Sequence, residues 1–234
     1  MQNDLLINGI PLESFGGSSM LDYSIGETEI TNEIFHGVDR SSWKTIQRFY
    51  GLRSVEITIR FEGASLRDAK MQRSRFNSLV YGDADIYIPD DGFFYRVYCE
   101  SLGAEELVGI GAKSAQIKSR YKFKGIRHDA LRTEEIGSSG IINCLSTMPF
   151  TDCRLTAKAS AAGSNYNLGG CVFETVAKDD ILVFDGINGA ITKNDTNYSA
   201  HASWLHFPTL VPGMNTITVS NSDPFTVSYE PAYI

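Results

Sequence analysis

The stretch Phe207–Ile234, FPTLVPGMNTITVSNSDPFTVSYEPAYI, decides the fold class of this chain. Pro212-Gly213 is a turn dipeptide, with proline presetting φ and glycine free to take positive φ. After it, Ile217 and Val219 share one face of an extended segment and Thr216, Thr218 and Ser220 share the other. Asn221-Ser222-Asp223-Pro224 breaks the run, and Phe225, Val227 and Tyr229 restore the same two-residue period. The expectation is a half-buried hairpin closing a β-sandwich.

The same grammar extends back to about residue 141. Arg154–Ala159, Cys171–Val176, Ile181–Phe184 and Ala190–Thr192 read as short strands, with turns at Asp179-Asp180, Asp185-Gly186 and Asn188-Gly189. No helical stripe is present in this half. Gly137-Ser138-Ser139-Gly140 reads as a linker, which divides the chain into a first domain, 1–136, and a second, 141–234. About 95 residues are enough for an independent second domain.

The first half is also β-rich. Leu5-Leu6-Ile7 stops at Asn8-Gly9, a hairpin-turn dipeptide. Met20–Ile25 is a strand. Leu52–Phe61 alternates, with Val55, Ile57, Ile59 and Phe61 facing one way. Ser65, with Asp68 three residues on, caps a helix over Leu66–Val80. Its apolar positions are Leu66, Ala69, Phe76, Leu79 and Val80; Arg67, Lys70, Arg73 and Arg75 read as a solvated face, and Gly82 ends it. Ala84–Ile88 and Phe93–Cys99 flank the turn Pro89-Asp90-Asp91-Gly92, and Ser114–Phe123 is a further strand. Gly103, Gly109 and Gly111 mark a loop between them. Residues 26–50 read as a strand–loop–strand excursion with Gly37 near its tip. Its large apolar side chains, Ile34, Phe35, Trp43 and Phe49, need cover from the core or from a neighbouring subunit, and are the candidate oligomer interface.

Composition excludes several function classes. The formal charge is −7. There are 17 Lys and Arg against 20 Asp and Glu up to Ile136, and 4 against 8 beyond it, so neither half has the basic excess of a phosphate-backbone binder. There is no apolar run of membrane-spanning length and no signal-peptide pattern at the N-terminus. The four cysteines, Cys99, Cys144, Cys153 and Cys171, form no C-x-x-C pair and read as free thiols. The sequons at Asn194 and Asn197 mark surface loops.

Catalytic and metal-binding chemistry finds no motif. There is no G-x-S-x-G elbow and no H-E-x-x-H. His36, His128, His201 and His206 lack ligand spacing, although His201 and His206, five apart, are a conceivable zinc pair. Gly109-Ile-Gly111 lacks the rest of a dinucleotide fingerprint. Asp90-Asp91 and Asp179-Asp180 fit turns better than a glycosidase pair, and Asp185 and Asp195 do not complete an EF-hand with them. Tyr198, Trp204 and Phe207 suit a sugar platform, but packing is the commoner fate of such aromatics. No catalytic, cofactor-binding or metal residue is assigned.

The order of these segments resembles the distal tail proteins of siphophages. Leu6-Ile7-Asn8-Gly9 looks like the family's opening. The excursion with Asp39-Arg40 and the strand Ser54-Val-Glu-Ile-Thr-Ile-Arg-Phe resemble its ring-forming hairpin, and the helix after them resembles its single helix. Ile181-Leu-Val-Phe-Asp-Gly-Ile-Asn-Gly-Ala-Ile and Phe207-Pro-Thr-Leu-Val-Pro-Gly-Met-Asn resemble its closing segments. The resemblance implies a mainly β protein: an N-terminal belt domain, barrel-like with one α-helix, followed by a galectin-like β-sandwich. It further implies a non-enzymatic virion protein without cofactors, assembled in the host bacterial cytoplasm. Six copies would form a ring at the distal end of the tail. The expected partners are further copies of the chain, the tail tube protein, a tail-tip protein and a receptor-binding protein, with no membrane anchoring. DNA would pass through the ring without specific binding, which suits the acidic balance. The alternatives are a carbohydrate-binding module acting on the host cell wall, a cell-wall hydrolase and a tail tube subunit. The sandwich lacks the long insertion that accompanies sugar binding in the family.

Overall fold

The computed structural model describes residues 5–36, 43–111, 114–138 and 140–234. The chain divides into two compact units, Met1–His128 with Ile234, and Asp129–Tyr233. In each, strands dominate and one cluster of buried apolar residues forms the core.

The first unit runs β1 (Leu6–Ile7), β2 (Ile10–Pro11), β3 (Ser19–Ile25), β4 (Ile30–His36), β5 (Trp43–Tyr50), β6 (Arg53–Gly63), α1 (Leu66–Val80), β7 (Asp83–Ile88), β8 (Phe93–Leu102), β9 (Glu106–Ile110) and β10 (Ala115–His128). Asn8 (φ 51°) and Gly9 (φ 76°) make the tight turn between β1 and β2. The main sheet is ordered β2-β1-β7-β8-β10-β6-β3. β6 and β10 pair over their length, from Ala115 opposite Gly63 to Gly125 opposite Arg53. Alternation puts Val55, Ile57, Ile59 and Phe61 on the same face as Ile117, Tyr121 and Phe123, all fully buried. α1 covers that face through Ala69, Phe76 and Val80. Phe76 meets the rings of Phe61, Tyr121 and Phe15 at 5.6, 4.9 and 5.8 Å.

The helix begins where the sequence places it. The Asp68 N–H donates to Ser65 Oγ at 3.2 Å, and Ser65 Oγ donates to the Asp68 carboxylate at 2.7 Å. Arg73 departs from the solvated face assigned to it: its guanidinium reaches back to Ser119 Oγ (2.7 Å) and the Gly103 carbonyl (2.8 Å). A second departure is β9, which occupies the segment read as a glycine-marked loop. It pairs with β10 between Lys118 opposite Glu106 and Ala115 opposite Ile110. Gly109 suppressed the signal, but the cross-strand ladder does not need a side chain there.

The second unit runs β11 (Arg132–Ile136), β12 (Ile141–Cys144), β13 (Thr151–Lys158), β14 (Gly163–Leu168), β15 (Cys171–Val176), β16 (Ile181–Asp185), β17 (Ala190–Lys193), β18 (Thr196–Asn197), β19 (Ala202–Ser203), β20 (Thr209–Leu210), β21 (Gly213–Thr216) and β22 (Phe225–Tyr229). One sheet is ordered β11-β22-β13-β16-β17-β18, with β20 on the start of β13; β14-β15-β19 and β12-β21 lie apart from it in the hydrogen-bonding pattern. All contribute to one core, in which Leu155, Leu168, Phe173, Leu182, Phe184 and Val227 are fully or almost fully buried. This is a sandwich.

Two boundaries read from the sequence are corrected. The closing stretch is not a hairpin. β21 pairs with β12, whereas β22 lies between β11 and β13. The segment between them crosses from one layer to the other. Period-two alternation reports which face is apolar, not which strand is the partner, so consecutive strands in opposite layers look like a hairpin. Likewise Gly137 and Gly140 are not an interdomain linker. β11, placed in the first domain by the sequence reading, pairs with β22, so these glycines join two strands of one unit. Gly140 takes φ 65°, donates its N–H to the Gly137 carbonyl and accepts from Ile217 N–H at 2.8 Å. Ser139 lies outside the described residues.

The crossing segment is anchored by one carboxylate. Asn221 (φ 58°) and Ser222 (φ 53°) turn the chain. Asp223, 4% exposed, then accepts from Ser160 N–H at 3.0 Å and from the Tyr166 hydroxyl at 2.8 Å. Burial works against its ionisation, but these hydrogen bonds outweigh it and hold the carboxyl below its ordinary range.

Candidate functional site

The excursion is an arm. β3 and β6 pair as far as Ile25 opposite Val55, and the Gly26 N–H still donates to the Ser54 carbonyl at 2.8 Å. The ladder resumes with Gly51 N–H on the Glu29 carbonyl at 2.6 Å, and β4 and β5 continue it from Ile30 opposite Tyr50 to His36 opposite Trp43. Arg53, 5% exposed, fixes the root by donating to the Gly26 carbonyl at 3.3 Å. Among the described residues β4 pairs only with β5.

The arm buries none of its described apolar side chains. Ile30, Ile34, Ile46 and Phe49 are 47, 52, 60 and 50% exposed. A bulge at Glu33/Ile34 leaves Ile46 without an opposite residue, because Glu33 faces Gln47 and Ile34 faces Thr45. One cross-strand hydrogen bond, Arg48 Nε to Asn32 Oδ1 at 2.8 Å, supports the ladder. A two-stranded ribbon is marginal alone in water. Covering the exposed half of each of these side chains returns about 1 kcal/mol apiece, from roughly 1.5–3 kcal/mol for full burial. The four residues assigned to an interface from the sequence all lie on this arm. Phe35 and Trp43 are placed by the ladder opposite Lys44 and His36. Gly37, Asp39 and Arg40 lie outside the described residues.

The end of the sheet away from the arm is open on both sides. The row Glu106–Lys118–Arg60–Ser19 crosses β9, β10, β6 and β3. Among the described residues neither β3 nor β9 has a further strand on its outer edge. Leu107, Val108 and Ile110 on β9 are 54, 50 and 65% exposed, and Leu21 on β3 is 48% exposed. Apolar open edges are templates for pairing with another chain. Sequence reasoning missed β9, although the apolar Leu107-Val108 pair and Ile110 were the available signal.

The face of β6 and β10 away from α1 is polar. Glu56 pairs with Arg120 at 2.5 Å and Lys122 at 3.1 Å. Lys118 pairs with Glu106 at 3.0 Å, and Lys124 with Glu100 at 3.2 Å. The hydrogen bond from Lys122 lowers the Glu56 carboxyl from its ordinary range; burial opposes it and the charge of Arg120 adds to it. Glu100 raises the Lys124 ammonium.

The other sequence candidates serve turns and packing. Asp91 accepts from the Tyr95 hydroxyl. Asp180 accepts from Ala177 N–H at 2.7 Å and Asn194 Nδ2 at 2.8 Å, and Asp179 (φ 71°) pairs with Lys158 at 2.8 Å. His201 faces Glu174 at 3.2 Å, while His206 Nδ1 lies 3.2 Å from the Phe207 carbonyl. Trp204 packs on Phe207 at 5.9 Å, and Phe207 on the buried Phe184 at 5.6 Å. No group of three or more metal-ligating side chains is found among the described residues, and all four cysteines are free.

A two-unit β protein that leaves an arm and two sheet edges uncovered has the build of an assembly subunit. Residues 145–233 match the family model described as the siphovirus-type tail component, C-terminal domain. The Dit protein of phage SPP1, described as a paradigm of the hub adsorption apparatus in phages infecting Gram-positive hosts, has the same fold. It aligns with a TM-score of 0.68 at 12% identity, covering 99% of both chains. A chain of the phage P2 baseplate, in its activated conformation with calcium, aligns with a TM-score of 0.51 at 11% identity over 92% of this chain and 90% of that one. The same baseplate with strontium gives 0.52 at 10% identity, over 91% and 90%. No curated protein matches the sequence. The resemblance to distal tail proteins is borne out, by the family model for the second unit and by fold for the chain as a whole.

Proposed function

We propose that this protein is a structural hub of a siphophage tail tip. Six copies close into a ring that joins the tail tube to the tip and leaves a channel for DNA, with the first unit as the belt and the second as a galectin-like sandwich presenting adhesion proteins. The observation that carries the reading is the sheet open at both β3 and β9. A head-to-tail ring needs two different patches on each subunit, one per neighbour, and opposite edges of one sheet supply them. The arm of β4 and β5 extends the β3 side and brings Ile34 and Phe49 to the neighbour. α1, a cylinder about 10 Å across, covers one face of the sheet and belongs on the outside of the ring, where it does not fill the channel.

The fold match to a hub protein and to baseplate chains supports this reading, as does the family-model match of the second unit. A sugar-binding second unit has weaker support, since Trp204 is engaged with Phe207. Particle mass by light scattering, with negative-stain imaging, is the test: rings are expected, and a strict monomer at high concentration would overturn the proposal.

A further inference from the structure

The polar face of β6 and β10 has a second property, which depends on the ring reading only for the direction it faces. Arg60, Lys118, Arg120, Lys122 and Lys124 lie on it, four of them at alternate positions of β10. At about 3.4 Å per residue, Lys118 to Lys124 spans roughly 20 Å. That is the axial length of about six phosphates of one DNA strand. An unpaired row of this kind is a nucleic-acid grip.

The row is not unpaired. Three glutamates from three neighbouring strands hold its four β10 cations: Glu56 on β6 takes Arg120 and Lys122, Glu106 on β9 takes Lys118, and Glu100 on β8 takes Lys124. These cationic side chains are 38–64% exposed. Ion pairs that exposed add little to stability, so their ordered recurrence along one strand calls for another role. We infer that Glu56, Glu100 and Glu106 mask a latent polyanion-binding row, so that duplex DNA passes this face without being held. Phosphates that displace a carboxylate from a lysine gain far less than phosphates that meet a free one, and the counterion release that drives DNA binding is already forgone.

The test is the full-length variant E56Q/E100Q/E106Q, with anisotropy of a labelled 30-base-pair duplex at several salt concentrations. The wild type should bind weakly, with a shallow salt dependence. The variant should bind at least tenfold more tightly at low salt. Four freed cations predict a slope of log K against log salt of about −3.6 per copy, at −0.9 per phosphate neutralised. Adding K118Q, K122Q and K124Q should remove most of the gain, leaving the slope of about −0.9 that Arg120 alone supplies. E100Q/E106Q, which leaves the less exposed Glu56 intact, provides a milder version with a slope of about −1.8. A folded variant that binds no better than wild type overturns the inference, as does a gain that survives the three lysine substitutions undiminished. Sedimentation of the same samples separates the two readings: a binding gain in a monomer refutes the ring and retains the mask, whereas a ring without a gain does the reverse.

Discussion

Asp223→Ala should destabilise the second unit by about 2–4 kcal/mol. The carboxylate satisfies a part-buried donor, Ser160 N–H, and a buried one, the hydroxyl of Tyr166, a residue only 3% exposed. Each donor left without a partner costs about 1–3 kcal/mol, less the desolvation cost that the carboxylate no longer bears. For a unit of this size 1 kcal/mol corresponds to roughly 4 °C or slightly more, so the melting temperature should fall by about 8–16 °C. Calorimetry of the full chain measures this. Tyr166→Phe alone should cost about 1 kcal/mol, and the double variant should be less destabilised than the sum by about 1 kcal/mol or more. The pH dependence has a definite sign. A carboxyl lowered in the folded state contributes stability above its unfolded pKa, near 3.9, and loses it as pH falls through the folded value. The deficit of Asp223→Ala should therefore be full at neutral pH and shrink below about pH 4. A loss under about 0.5 kcal/mol at pH 7, or an additive cycle, would refute the view that this carboxylate secures the crossing between the layers.

The arm, one glycine and the thiols offer further tests. Replacing Ile34 and Phe49 with aspartate should weaken subunit association at least tenfold, about 1.4 kcal/mol, by light scattering, while circular dichroism stays unchanged; an intact ring would show that the arm lies outside the interface. Gly140→Ala should cost about 2–3 kcal/mol in urea unfolding, because a Cβ at φ +65° would lie 2.2 Å from the Ile217 carbonyl. Burial pushes the thiols of Cys153 and Cys171 up to about 12; Cys144 is buried and Cys99 partly so. A disulfide reagent at pH 8 should therefore modify no more than one thiol in the native protein, and all four in denaturant.

Local chemistry made much of this fold legible. Asn8-Gly9 had to turn, Ser65 had to cap, and the alternation of Val55 to Phe61 had to bury one face, because each depends on residues a few positions apart. Partnership was not legible. Nothing local distinguishes β21 and β22 as a hairpin from β21 and β22 as members of opposite layers. Nothing local attaches Arg132–Ile136 to a strand roughly 90 residues later. β9 was lost for a related reason: its strand character rests on β10, not on its own glycine-containing sequence. The candidate interface residues came from an argument about absence, apolar side chains with no visible internal partner, and the arm leaves Ile34 and Phe49 half exposed. The cations of the masked row alternate along β10 in the sequence, but its glutamates were invisible, because they come from three other strands and only the register brings them to it.

The position of β22 also governs the timetable of folding. It supplies the shared neighbour of β11 and β13, which precede it by roughly 70–95 residues. Until Phe225–Tyr229 has been synthesised, both strands carry unpaired edges and Leu155 has no Val227 beside it. The second unit therefore matures late and as a whole, through long-range contacts that are slow to form. Its nascent form exposes two β edges at the stage when incomplete chains are most prone to aggregate. Substitutions that weaken β22 should thus reduce soluble yield well before they alter the properties of molecules that have folded.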